Sequence, residues 1–209
     1  MARFLVVFDV DSTLINEEAI EVLAEEAGVR KEVSQITEAA MRGELDFSQS
    51  LRLRVEMLAG IPQSKLDEVS RKLTLTKGAM ELVSAIHAKG GVAAAVSGGF
   101  NQLLEPIRSA LKLDYVKAND LEIVNQALTG KVLEPIVDRA TKAEFLLSLQ
   151  KDLGLQTEKT IAVGDGANDI EMLIKAGLGI AFCAKPALHE VADISIENRD
   201  LAEIISLLP

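Results

Sequence analysis

Arg3-Phe-Leu-Val-Val-Phe8 is an unbroken β-branched and aromatic run, the pattern of a strand buried on both faces. Two carboxylates, Asp9 and Asp11, follow at once, so the run reads as a central strand with acids at its carboxyl end. Between 15 and 73 no comparable run returns. Apolar residues recur there at helical spacing, with Ile20, Leu23, Ala24 and Ala27 on one stretch and Leu51, Val55 and Leu58 on another. Asp46 with Gln49 has the form of a capping box, and Gly60 with Pro62 marks a stop and a restart. After Thr76 the two periods alternate. Helices are predicted over 78–89, 100–111, 141–153, 168–175 and 200–207, and strands over 92–96, 160–163, 178–182 and 194–196. A short hairpin, 121–124 with 128–133, turns near Asn125-Gln126.

This alternation predicts an α/β fold, a doubly wound, Rossmann-like parallel sheet. A parallel crossover needs about a dozen residues, so some four helices before the second strand are too many for one crossover. The excess reads as an inserted small helical cap over 15–74, with 1–14 and 75–209 forming the core. Leaving the sheet just after Asp9 and Asp11, the cap is expected over the carboxyl ends of the strands, where open α/β sheets bind ligands. The plainer arrangement is a helical excursion packed on the side of the sheet.

Charge and composition narrow the partners. The chain of 209 residues has a formal net charge of −10 and no tryptophan, the opposite of a nucleic-acid footprint. An anionic substrate would need a few well-placed cations or a metal. A single cysteine, Cys183, rules out an intramolecular disulfide and points to the cytoplasm. The N-terminal run is too short for a signal core and no stretch is long and apolar enough for a bilayer, so no membrane partner is expected. Two histidines without a supporting motif offer no Ser-His-Asp triad. Oligomeric state is not legible.

The strongest chemical signal is Asp9-Val-Asp11-Ser-Thr13. If the strand conformation persists, Asp9 and Asp11 point the same way and repel. A hard cation relieves that repulsion, and magnesium lets one carboxylate coordinate while its free oxygen attacks. The neighbour then keeps its proton longer, as a general acid does. The alternative is an Asp-rich turn capping the next helix. Gly164-Asp-Gly-Ala-Asn-Asp169 also follows an apolar strand. Asp165 is a candidate metal ligand there, with Asn168 or Asp169 in support or capping the following helix. Ser97-Gly98-Gly99, between a strand and a helix, can hold phosphate oxygens or be an ordinary turn. Lys142 opens a helix, where its charge opposes the dipole unless an anion faces it. Glu18 and Arg54 are the charges of interest in the insert.

Taken together, these four segments in this order resemble the haloacid dehalogenase superfamily of phosphohydrolases. Val7-Phe-Asp-Val-Asp-Ser-Thr-Leu14, Phe47-Ser-Gln-Ser-Leu-Arg-Leu-Arg54-Val, Val96-Ser-Gly-Gly-Phe100 and Val163-Gly-Asp-Gly-Ala-Asn-Asp-Ile170 are similar to segments of its phosphoserine-hydrolysing members, a likeness covering nearly the whole chain. The resemblance implies hydrolysis of O-phospho-L-serine through a phospho-aspartate, as in serine biosynthesis. It makes Asp9 the nucleophile and Asp11 the acid/base, with magnesium on Asp9, Asp165 and the backbone carbonyl of Asp11, and Asp169 behind them. Ser97, Gly98, Lys142 and Asn168 would hold the phosphoryl group. Glu18 would meet the substrate amine and Arg54 its carboxylate, with Met41 and Phe47 lining the pocket. The cap leaves open another small phosphomonoester or a phosphotransferase. A receiver-like switch also pairs a phosphorylatable Asp with a metal, Ser or Thr, and Lys, but needs neither a second acid nor a lid.

Overall fold

The apolar run becomes β1 (Leu5–Phe8), and its side chains alternate between two cores as a strand's period demands. Phe4, Val6 and Phe8 face one buried cluster and Leu5 and Val7 the other. The computed structural model describes residues 2–41 and 44–209, apart from the side chain of Met41. Six more strands, β2 (Val92–Phe100), β3 (Tyr115–Val124), β4 (Ala127–Leu133), β5 (Thr160–Gly164), β6 (Leu178–Phe182) and β7 (Ile194–Ile196), give one sheet in the order β4-β3-β2-β1-β5-β6-β7. Only the β3–β4 pair is antiparallel. The chain builds outward from β1 on one side and then from β5 on the other, so the switch in strand order falls between β1 and β5. That is where a doubly wound sheet opens a crevice.

Four helices separate β1 from β2: α1 (Ala19–Glu26), α2 (Arg30–Met41), α3 (Phe47–Glu56) and α4 (Ser64–Ser70). The Asp46 cap of α3 forms as expected, accepting from the Gln49 N–H at 2.7 Å while Gln49 Oε1 accepts from the Asp46 N–H at 3.1 Å. The insert buries Ile20, Leu23, Val33, Leu51, Val55 and Leu66 against Leu103 of the helix after β2 and Leu121 and Leu128 of the hairpin. Its two ends meet in an antiparallel bridge, Ile15 with Leu75. Its loop also bonds to β4 and the turn before it: the Gly60 N–H donates to the Leu128 carbonyl, the Leu128 N–H to the Ile61 carbonyl, and the Gln63 N–H to the Gln126 carbonyl, each at 2.8 Å.

The remaining helices are α5 (Ala79–Ala88), α6 (Asn101–Leu111), α7 (Arg139–Asp152), α8 (Ile170–Lys175) and α9 (Pro186–His189). Several bounds differ from the sequence reading for local reasons. β2 runs on through Ser97 to Phe100, with its pairing to β3 interrupted between Val96 and Phe100. β3 begins at Tyr115, six residues earlier than expected, because its polar run Lys117, Asn119, Asp120 masks a strand near the sheet's edge. α7 starts at Arg139 because Asp138 caps it, accepting from the Thr141 N–H at 2.9 Å. The helix expected over 168–175 is a 3₁₀ turn followed by α8, and the closing helix over 200–207 is a 3₁₀ segment, Leu201–Leu207. Asn125 and Gln126 do turn the hairpin, at φ of 52° and 62°, the paired positive values of a type I′ turn. Among the described residues no helix is long and apolar enough to cross a membrane.

Candidate active site

Asp9 leaves β1 still tied to the sheet, its N–H donating to the Val163 carbonyl at 2.8 Å, and it is 3% exposed. The chain then abandons the strand. Val10–Leu14 coils into one wide turn closed by the Ile15 N–H on the Val10 carbonyl at 3.0 Å, with Ser12 at φ 56°. The expectation that Asp9 and Asp11 share a face through strand periodicity is therefore corrected: the turn brings Asp11 back to the cavity. One Asp11 oxygen accepts from the Ala19 N–H at the start of α1, at 2.7 Å, and the other from the Ser97 hydroxyl at 3.0 Å. Ser97 in turn accepts from the Gly99 N–H at 2.7 Å, so it acts inside an irregular strand rather than in the loop expected for it.

Lys142 is not the solvated helix-opening lysine that isolated statistics favour. It is 1% exposed, and its ammonium donates to Asp9 Oδ1 at 2.6 Å and Asp169 Oδ1 at 2.7 Å. Burial opposes that charge, but the Asp169 and Asp9 carboxylates override it and raise the pKa. Asp169 also accepts from the Gly166 N–H at 3.1 Å. A Cβ on Gly164 would stand 2.5 Å from the Asp169 carboxyl carbon, so only glycine lets this acid lie against β5.

Among the described residues one group of three acids could share a cation: Asp9, Asp165 and Asp169, with one oxygen of each within 4.8 Å of the others. Three buried carboxylates against one ammonium leave excess negative charge that burial makes costly. The pKa of Asp9 is pushed well up by burial first and by Asp169 next, and that of Asp165 is raised mainly by burial. Hard oxygen donors with surplus charge suit a metal ion, and a divalent one fits best. Asp169 belongs to this group as closely as Asp165 does, whereas the Asp11 carboxylate is engaged elsewhere.

The acids open onto a cavity of about 90 Å³ whose wall includes Asp9, Asp11, Glu18, Phe47, Arg54, Gly98, Asp165 and Asn168. It is a small-molecule space. Ser97, Lys142 and Asp169 stand outside that wall and touch those that form it. Met41 closes α2, and its side chain lies outside the described residues. Glu18 precedes α1 without capping it and instead accepts from the Ser12 hydroxyl at 2.8 Å. Burial raises the Glu18 pKa, with Ser12 and Lys185 opposing, and burial together with Glu18 pushes Asp11 up to about 6. Arg54 Nε donates to the Ser50 carbonyl at 3.2 Å. Burial lowers the Arg54 pKa, against the pull of Glu18 and Asp11.

Sequence reasoning missed several wall and support residues. Lys185, Ile20 and Leu51 also line the cavity, beside the expected Gly99. Buried Asn119 donates to the Gly98 carbonyl at 2.9 Å and accepts from the Val137 N–H at 2.7 Å, pinning Gly98 beneath the Phe47 ring, where a Cβ would come within 2.9 Å. Asn119 stands in the polar run that hid β3, and Lys185 in a short loop after β6 without any motif.

Residues 6–173 match the family model of haloacid dehalogenase-like hydrolases. The chain belongs to this family. This hydrolase is 52% identical over 204 residues to a phosphoserine phosphatase of Mycobacterium tuberculosis, covering 98% of this chain and 50% of that protein. It is 47% identical to the phosphoserine phosphatase of Lactococcus lactis, covering 99% of this chain and 96% of that one. It thus spans half the length of the first relative and nearly all of the second. Among solved structures, a phospho-aspartyl intermediate analogue of phosphoserine phosphatase superposes with a TM-score of 0.93 at 47% identity, over the whole of both chains. A substrate-bound phosphoserine phosphatase complex gives 0.94 at 46%, again over both whole chains.

Proposed function

We propose that this hydrolase is a magnesium-dependent phosphoserine phosphatase that turns O-phospho-L-serine into L-serine and phosphate through a phospho-aspartate on Asp9. The observation carrying this reading is one small cavity that joins Asp9 and Asp11 to Glu18 and Arg54, opposite charges suited to a zwitterionic ester. The names of the full-length relatives support it. Residues 15–74 act as the cap that completes the pocket. The single Cys183 is in keeping with a cytoplasmic setting.

An Asp9 carboxylate oxygen attacks phosphorus and the bond from phosphorus to the serine oxygen breaks. Asp11, held by Ser97 and the Ala19 N–H with its pKa near 6, gives its proton to that leaving oxygen. It then takes a proton from the water that attacks the aspartyl phosphate, which frees Asp9 and releases phosphate. Asp9, Asp165 and Asp169, with the Asp11 backbone carbonyl, would hold magnesium, which offsets phosphoryl charge. Lys142 orients Asp9 and favours its ionised form against the effect of burial, while Gly98, Asn168 and Ser97 secure the phosphoryl oxygens.

Exhaustive chelation is expected to remove activity and magnesium to restore it. Calcium should give less than about a tenth of the magnesium rate, because its looser, higher coordination can engage both oxygens of Asp9. Equal rates with calcium, or full activity without metal, would overturn this part of the reading.

Specificity is tested by comparing phosphoserine with phosphoethanolamine, which lacks the carboxylate. Arg54→Ala should lower kcat/KM for phosphoserine about tenfold to a hundredfold, the worth of a charge-assisted contact, while leaving phosphoethanolamine nearly unchanged. Glu18→Gln should impair both, since both carry the ammonium. An equal loss on both esters in Arg54→Ala would assign Arg54 to the phosphate or to the insert's packing, and the case for serine would fail.

A further inference from the structure

The described wall of the cavity carries four carboxylates, Asp9, Asp11, Glu18 and Asp165, and two cations, Arg54 and Lys185. Lys142 adds no third, because its ammonium is committed to Asp9 and Asp169. Lys185 is built differently from Arg54. Its backbone N–H donates to the Asp165 carbonyl at 2.8 Å, and His189 Nε2 pairs with the carbonyl of the preceding Ala184 at 3.0 Å. The root of the side chain is thus anchored beside the metal-binding acids. Its tip reaches solvent: the side chain is 56% exposed, with Nζ in a long ion pair 3.7 Å from Asp165 Oδ2.

A second cavity of about 240 Å³ adjoins the first, and both share Glu18, Ile20, Arg54 and Lys185 in their walls. Its other side includes Ser34, Thr37 and the exposed Glu38 of α2. Lys185 therefore stands at the junction of an outer and an inner chamber, both rich in acids. A phosphomonoester dianion approaching such walls is repelled unless a local cation offsets them. An ammonium on a flexible four-carbon stem can follow a moving phosphate, whereas a planar guanidinium suits a fixed carboxylate.

We propose that Lys185 is a phosphate-capture residue, binding the phosphate of the incoming ester where the two cavities meet. The proposal rests on the phosphatase reading above but not on serine as the alcohol. In the magnesium-loaded full chain, Lys185→Gln is expected to raise KM for phosphoserine about five- to tenfold and to change kcat less than about twofold. The inhibition constant of inorganic phosphate should rise by the same factor, and kcat/KM should lose part of its salt dependence. Lys185→Arg should retain most of the affinity and Lys185→Glu lose more. Lys151→Gln, which removes the same charge in the last turn of α7, should alter none of these. Unchanged KM and phosphate inhibition in Lys185→Gln, or a fall in kcat at constant KM, would overturn the proposal. If phosphoserine itself proves a poor substrate, p-nitrophenyl phosphate and inorganic phosphate still report on Lys185, so the two readings fail separately.

Discussion

Asp9→Asn is expected to lower kcat on the order of 10⁴-fold or more, with no phosphoenzyme trapped by rapid acid quench. The amide is nearly isosteric with the carboxylate, so the cavity keeps its shape, but it is a far poorer nucleophile. Removing the attacking group of a covalent mechanism costs more than removing any single contact to the substrate. Folding should survive, because Lys142 retains Asp169 at 2.7 Å and the amide oxygen can still accept its other proton. The measurement pairs steady-state phosphate release with acid-quench labelling, and with a circular dichroism melt to show that the protein is folded. Turnover within tenfold of wild type, from a folded variant, would mean that Asp9 is not the attacking group.

Lys142→Met has the largest expected effect on stability. Lys142 is fully enclosed and holds two carboxylates that have lost water. Replacing it with an apolar chain leaves Asp9 and Asp169 facing each other with no ammonium between them, and only the half-exposed Lys185 beside Asp165. Breaking a buried ion pair from one side costs about 3–5 kcal/mol, a large share of the roughly 5–15 kcal/mol that holds a domain together. Denaturant unfolding in chelator should show this loss in full, and added magnesium should recover part of it by supplying charge to the same acids. Activity should fall as well. A midpoint unchanged in chelator would show that these carboxylates are already protonated and do not need the lysine.

Much of the fold was legible because it is written in unbroken apolar runs. Val6 and Val7, Ile161 and Ala162, and Ile180 and Ala181 are buried on both faces, so their strands needed no alternation to be seen, and Asp9 and Asp165 stood out as the acids that end two such runs. β3 was half hidden because Lys117, Asn119 and Asp120 interrupt it. Asp11 reaches the cavity through a turn at Ser12 that no strand periodicity encodes. The insert's helices showed their apolar stripes, but not which face meets Leu103 of α6 or the hairpin. Lys142 could be located only through the order of motifs, since one lysine at a helix start looks the same wet or buried. Lys185 gave no signal, because its place in the wall depends on how the loop after β6 folds back over Asp165.

The hydrogen bonds from Gly60, Ile61 and Gln63 to the hairpin reach beyond the pocket. β4 is the last strand of the sheet, and its outward N–H and C=O groups would otherwise be open to pairing with another chain. The loop of the insert occupies the Leu128 donor and acceptor and the Gln126 carbonyl, taking the place of a neighbouring strand. The segment that furnishes Phe47 and Arg54 to the cavity is thus also the shield of the sheet's margin, which ties resistance to intermolecular sheet formation to the same packing that shapes the site.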